Sequence, residues 1–343
     1  MMVYILSILI CLALTYSFTR LFKFLEFVDK PDGKRKIHKG EIALSGGVSI
    51  FFSISLLALL FPDQYFLNFG NKNFLFIWML SPIILIMGLV DDIKPLTPFI
   101  RLTVQIFASW LVILTTDIYL RDFGNLFGLS DIYIGNLGIP VTIFMIVGIC
   151  NAFNMMDGMD GFVGFIVLIS SCALGIIGLE KYYFLTTMVP ICLITFLIFN
   201  LGLLGKKVKI FLGDSGAMWI GFVLGWMLVL LSQGEERLIQ PVTALWLVLL
   251  PLIDALSTFM SRLMNNKSLF LGDRSHFHHL LLDAGVAKWK VLIILIGISL
   301  AASSYAIFCW RFEIEEHYQF YAFLTIWVFY ALFIKYPFLK SQE

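Results

Sequence analysis

The chain has 343 residues, of which 60% are hydrophobic and only 14% charged, and its mean hydropathy is +0.92. Soluble domains carry ~25% charged and ~45–50% apolar residues, so a water-soluble globular fold is excluded and a polytopic membrane protein is expected. The net charge of +1 says nothing about partners, and no nucleic-acid partner is expected.

Crossing the hydrocarbon core takes ~20 mostly apolar residues. About eleven such stretches follow one another, near 2–20, 42–61, 74–90, 100–120, 139–153, 161–179, 182–204, 216–232, 242–261, 291–310 and 318–335. The expected fold is all-α, with about 10–11 transmembrane helices in a single membrane domain spanning 1–343. The positive charge near the N-terminus follows the first apolar run instead of preceding it. That order predicts a retained helix and not a signal peptide.

With the first helix starting outside, 19 of the 24 Lys and Arg residues fall in inner segments; Lys72, Arg121, Lys181, Arg237 and Arg311 stay outside. The positive-inside rule then predicts an N-terminus outside and a C-terminus in the cytoplasm. Cys11, Cys150, Cys172, Cys192 and Cys309 all lie in apolar spans. They read as packing residues, with no disulfide and no metal cluster expected. In the outer loop DIYIGNLGIP (131–140), Ile132 and Ile134 alternate before Gly135-Asn136, which predicts a small periplasmic β-hairpin. The inner loops are richer in Asp, Asn, His, Gly and Lys. That asymmetry predicts an active site on the cytoplasmic face.

The first inner segment, DKPDGKRKIHKGEIALSGG (29–47), is basic, and its lysines act as topological anchors. Lys36, His38 and the Ser45-Gly46-Gly47 turn could also approach a diphosphate. In GLVDDIKPL (88–96), Asp91 and Asp92 end a span. Adjacent carboxylates repel each other unless a cation or base is near. Such a pair can hold Mg²⁺ or organise a phosphate site, or can simply be the polar end of a helix.

In NAFNMMDGMDG (151–161), Asn151, Asn154 and Asp157 are spaced i, i+3, i+6 and share one side of a helix. Asp160 follows Gly158, beyond the helix end. Polar groups clustered at a membrane helix are costly, and mark either function or an interhelical clamp.

KKVKIFLGDSGAM (206–218) carries a GDSG core that also surrounds the nucleophilic serine of trypsin-like proteases. Here it follows a lysine-rich loop and opens a span. Its amides suit phosphate oxygens, and Ser215 is expected as a helix N-cap. Phe211 could stack on a base or sit as an interfacial aromatic. Asp254, within the span PLIDALSTF, is either functional or bonded to a neighbouring helix. In LGDRSHFHHLLL (271–282), His276, His278 and His279 crowd beside Arg274. Without HExxH or a Cys partner they suit a phosphate better than zinc.

The ordered set LVDDIKPLTP, NAFNMMDGMDG, FLGDSGAMWIG and DRSHFHHLLL resembles the polyprenyl-phosphate N-acetylhexosamine-1-phosphate transferases (glycosyltransferase 4), WecA-like branch, over about residues 29–285. The resemblance implies transfer of a HexNAc-1-phosphate, GlcNAc-1-phosphate first among the candidates, from a UDP-sugar to undecaprenyl phosphate. UMP is released and a lipid-linked cell-surface glycan begun, such as O-antigen, common antigen, capsule or a teichoic acid linkage unit. It also implies Mg²⁺, with Mn²⁺ as a substitute, held by Asp214 with help from Asn154.

By the same resemblance, Asp91 and Asp92 match the catalytic pair, and Asp157 and Asp160 match nucleotide or lipid-phosphate positions. His276, His278, His279 and Arg274 match the phosphate-gripping loop, Phe211 a uracil-stacking position, and Lys94 falls near a uridine-contacting lysine. Asp91 is left as base or positioning group, and single or double displacement stays open. The expected setting is the bacterial inner membrane, among membrane lipids, with a homodimer left open. Rival readings are the same chemistry on a 6-deoxy-amino sugar donor, a polytopic transporter, a CDP-alcohol phosphotransferase and a membrane serine protease. The third needs Ala-Arg after its Asp-Gly pair, where this chain has Met159-Asp160.

Overall fold

The computed structural model describes residues 2–31, 40–62, 72–178, 183–234, 237–264 and 276–335. The described chain is helical nearly throughout: α1 (Met2–Phe24), α2 (Gly46–Leu60), α3 (Lys72–Leu80), α4 (Pro82–Ile93), α5 (Pro98–Thr116), α6 (Gly138–Met156) and α7 (Phe162–Ile177) come first. After them come α8 (Met188–Asn200), α9 (Gly213–Ser232), α10 (Pro241–Leu247), α11 (Leu249–Met264), α12 (Phe277–Asp283), α13 (Lys288–Arg311) and α14 (Glu316–Phe329), the last continued by a π-helical turn over Tyr330–Lys335.

Seven helical spans among the described residues are long and apolar enough to cross a membrane, with α3 and α4 counted together, and the bent pair α10–α11 makes an eighth. The other three apolar stretches form α2, α7 and α8, with 15, 16 and 13 residues. At ~1.5 Å per residue these reach only ~20–24 Å, less than the ~30 Å core. All eleven stretches are therefore helical, but not all are full-length spans. The chain is a multi-pass membrane protein.

Helix α9 is the hub. It packs against α2, α3, α4, α6, α7 and α10, and 94% of its apolar window is buried. Close approach is bought by missing side chains. A Cβ on Gly88 of α4 would lie 2.7 Å from the Ser215 nitrogen and 3.0 Å from the Asp214 carbonyl carbon. No residue larger than glycine fits that crossing without moving a backbone.

The stretch 242–261 is expected as one helix, but α10 and α11 meet at 90°. The reason is local. Pro251 has no N–H to give the Leu247 carbonyl four residues back, and the carbonyl instead accepts from Ser170 Oγ of α7 at 2.6 Å. In lipid such a freed carbonyl must find a partner within the protein.

The expected hairpin at 131–140 does not form. Gly135–Leu137 is a 3₁₀ turn leading into α6, and Asn136 Oδ1 accepts from Tyr119 Oη at 3.0 Å. The Gly-Asn pair serves as a helix entry and not as a strand reversal. Tyr133 instead makes a single antiparallel bridge to Asp122. The regular sheet lies elsewhere, as the two-residue strands β1 (Val28–Asp29) and β2 (Ile42–Ala43). Beside β2, Ala43 bridges to Ile210, and the Gly46 and Gly47 amides donate to the Phe211 and Leu212 carbonyls. The segment just ahead of α9 is thus stitched to the segment just ahead of α2.

Candidate active site

Three inter-helix turns and the start of α9 build one end of the bundle. Pro95 and Pro98 break the chain between α4 and α5, and Thr97 caps α5. Asp91, only 5% exposed, holds that turn: Oδ1 accepts from the Leu96 amide at 2.6 Å and Oδ2 from Arg101 Nη1 at 3.1 Å. These contacts are those of a positioning group.

Its neighbour points the other way. The Asp92 carboxylate accepts from the Asp214 amide at 2.8 Å and the Ser215 amide at 3.1 Å. A negative group on orphan amides is the favoured partner for a helix start. Asp92 therefore does the capping expected of Ser215, which is not the N-cap: α9 begins at Gly213, and Ser215 is fully buried in its first turn. The register is set at Gly213, whose φ is 76°: the helix starts three residues earlier than a Ser215 cap would allow.

Asn154 lies in the last turn of α6, Asp157 is its C-cap, and Asp160 follows in the turn before α7. Gly161, at φ 80°, gives its amide to Asn200 Oδ1 at 2.6 Å, while Asn200 Nδ2 donates to the Ile210 carbonyl at 2.9 Å. One buried asparagine at the end of α8 thus joins the α6–α7 turn to the segment leading into α9. Lys209 Nζ meets Asp160 Oδ2 at 2.7 Å and lies 5.3 Å from the centre of the Phe211 ring. Burial, then the carboxylates of Asp214, Asp92 and Asp160, push the Asp157 carboxyl well above the usual carboxylate range. Negative charge is concentrated here beyond what the neighbouring lysine neutralises.

Asn151 is placed differently from its partners in the motif. Its Nδ2 donates to Gln105 Oε1 at 2.8 Å and to the Val147 carbonyl at 2.7 Å, tying α6 to α5. Asn154 Oδ1 is buried with no hydrogen-bond partner among the described residues.

The histidine motif opens α12. His276 Nδ1 faces Asp254 Oδ2 at 2.6 Å. His278 is fully buried with its ring packed onto Gly158, between Asp157 and Asp160. His276 and His279 line the cavity described next, whereas His278 stands behind its wall. Lys94 is exposed at the C-cap of α4 and is not among the cavity-lining residues. Lys36, His38 and Arg274 lie outside the described residues.

A cavity of about 2500 Å³ gathers most of these groups. At one end it is lined by Asp91, Asp92, Asn151, Asn154, Asp157, Asp160, Lys209, Phe211, Asp214, His276 and His279. From there it runs beside α6 and α9 to Pro140 and Ser232, lined by apolar residues such as Phe144, Val147, Leu228, Leu245 and Leu256. A helix of 20 residues, the length of α9, measures ~30 Å. Carboxylates, histidines and an apolar channel as deep as a bilayer core share one space.

The model of glycosyl transferase family 4 matches residues 74–232. An undecaprenyl-phosphate alpha-N-acetylglucosaminyl 1-phosphate transferase of Yersinia pestis is 32% identical over 316 residues, which are 90% of this chain and 81% of the relative. A protein of the same name in Salmonella typhi is 31% identical over 93% of this chain and 86% of its own length. Another, in Haemophilus influenzae, is 32% identical over 89% and 85%. The chain belongs to glycosyl transferase family 4.

As a family 4 transferase it is an enzyme. Asp214 and Asn154, the oxygen donors that the sequence resemblance implies for a metal, both line the cavity. Among the described residues, no three His, Cys, Asp or Glu side chains form a preassembled metal site. Mg²⁺ characteristically needs no such cage, because it takes one or two carboxylates and completes its shell with substrate phosphates and water.

Several residues of this family 4 enzyme's site escaped sequence reasoning. Lys209 and Arg101 were visible only as topological charges, yet each pairs with a motif aspartate. Arg262 also counted as an anchor, but it is 7% exposed and lines the cavity. A signal existed: Asp254, Thr258 and Arg262 recur at i, i+4, i+8 along α11, and all are buried. Asn200 carried no motif signal at all.

Proposed function

We propose that this enzyme transfers a HexNAc-1-phosphate, GlcNAc-1-phosphate by first choice, from a UDP-sugar to undecaprenyl phosphate and releases UMP. The site would face the cytoplasm of the bacterial inner membrane, with the N-terminus outside, as the Lys and Arg distribution argues. The observation that carries the reading is the single cavity with an anionic, histidine-bearing end and an apolar channel along α6 and α9. A polar diphosphate and a polyprenyl chain need these two environments side by side. The names of the relatives point to the same acceptor and the same sugar phosphate.

In the reaction an oxygen of the lipid phosphate attacks the β-phosphorus of the donor. The bridging P–O bond to the α-phosphate breaks, and its electron pair leaves with UMP. The attacking monoester has a second pKa of ~6 and is largely dianionic at neutral pH, so no strong base is required. The obstacle is repulsion between anions, in a site already rich in carboxylates.

Bound Mg²⁺ would supply the neutralising charge at the diphosphate. The donor set supports that assignment: hard oxygen ligands at Asp214 and Asn154, and a buried Asn154 Oδ1 with no hydrogen-bond partner among the described residues. His276 and His279, at the cavity wall, would steady the phosphate oxygens. Asp92 holds the α9 amides and with them the place of Asp214. The test is UMP release by the purified protein with undecaprenyl phosphate, a panel of UDP-HexNAc donors including 6-deoxy-amino sugars, and EDTA. Uptake of a solute without UMP release would favour a transporter instead.

A further inference from the structure

Asp254 is 1% exposed, inside an apolar helix. A carboxylate there is expensive unless fully paired. The structure surrounds it with four donors. Oδ2 faces His276 Nδ1 at 2.6 Å. Oδ1 receives the Phe277 amide at 3.2 Å, Tyr330 Oη at 2.5 Å and Lys335 Nζ at 3.2 Å. Lys335 is anchored further by the Asp254 carbonyl at 3.1 Å and by the Thr258 hydroxyl. Tyr330 and Lys335 belong to the last span, and both are buried.

We propose that Asp254 is a positioning residue for His276, and that Tyr330 and Lys335 hold it in that role. The C-terminal span then sets the presentation of the histidine motif. An ionised carboxylate only accepts hydrogen bonds, so Nδ1 of His276 must donate. That fixes the tautomer and leaves Nε2 as the second edge of the ring, and His276 lines the cavity. Acid–His pairs in hydrolases and metal sites use the same logic. A carboxylate serving packing alone would need only the last span. Asp254 also takes two consecutive residues at the start of α12, which orients that helix as well as its first ring. The inference rests on the transferase reading for the value of His276 but not for its geometry.

The test uses the full-length protein in detergent or vesicles. Asp254→Asn presents an amide to Nδ1 and is expected to lower kcat about tenfold to a hundredfold, with KM for both substrates little changed. Tyr330→Phe removes one hydroxyl and should lower kcat by a smaller factor in the same way. In a His276→Ala background neither substitution should cost more than about twofold, because the partner through which they act is gone. Additive losses in the double variants would overturn the proposal.

If Asp254→Asn does not fold, the Tyr330→Phe cycle decides alone. Nitrogen NMR of labelled histidine provides a readout without turnover. Wild type should show His276 protonated at Nδ1, and Asp254→Asn should shift the proton toward Nε2. An unchanged tautomer would refute the inference even if UMP release is normal. A protein that never releases UMP, but shows the tautomer shift, would instead refute the transferase reading.

Discussion

The crossing of α4 and α9 offers a sharp mechanical test, the substitution Gly88→Ala. A Cβ there falls 2.7 Å from the Ser215 nitrogen and 3.0 Å from the Asp214 carbonyl carbon, both backbone atoms that cannot rotate aside. Non-bonded heavy atoms settle near ~3.5–4.0 Å, so the helices must part by about 1 Å. The same displacement stretches the Asp92 bonds to the Asp214 and Ser215 amides, now 2.8 and 3.1 Å, out of hydrogen-bonding range.

Overpacking costs about 1–3 kcal/mol. Each of the two weakened hydrogen bonds adds about 0.5–1.5 kcal/mol, so a loss of about 2–6 kcal/mol is expected. Because Asp214 rides on that helix start, a shift of ~1 Å should also lower UMP release about a hundredfold. Thermal unfolding in detergent and initial UMP-release rates measure the two effects. A Gly88→Ala protein with wild-type midpoint and rate would refute the claim that this contact sets the position of Asp214.

Asp214→Asn should abolish divalent-cation-dependent turnover, and near wild-type UMP release at limiting Mg²⁺ would remove Asp214 from the metal site. His279→Ala should cut kcat by about 10²-fold or more while the protein still inserts and folds; unchanged kinetics would end its phosphate-gripping role. Arg101→Ala strands the buried Asp91 carboxylate and should destabilise by about 2–4 kcal/mol, discounted for the partial exposure of the arginine. Adding Asp91→Asn should recover part of that loss in chemical unfolding, and no recovery would mean the pair is not coupled.

For Asp157, whose carboxyl is held above its ordinary range, the native state binds the proton more tightly than the unfolded chain. Stability contributed by this group is therefore lost as pH rises above the unfolded value of ~3.9 toward the native one. Asp157→Asn should melt higher than wild type at pH 8 in EDTA, with the gap closing near pH 4. Equal midpoints at pH 8 would contradict the crowding of charge.

Hydropathy located the long apolar helices, because in lipid backbone groups must be paired within the protein and a helix does so locally, but it foresaw neither the short α12 nor the break between α10 and α11. The motif aspartates were equally legible, since charged groups at helix ends in so apolar a chain have few structural reasons to exist. The roles of those groups were not legible. Asp91 and Asp92 are adjacent, but side chains about 100° apart around α4 send one to Arg101 and the other to α9. Asn151 and Asn154 share a motif, yet one ties α6 to α5 while the other leaves a buried oxygen without a partner among the described residues.

Sequence by itself determined the helical membrane architecture and the inventory of polar groups at the site end, through local rules of burial and periodicity. Only the tertiary structure decided the 90° break, the capping of α9 by a carboxylate from α4, and the pairing of Asp254 with a lysine 81 positions away. Those outcomes depend on which helices touch, and contacts between distant segments leave no period in the chain.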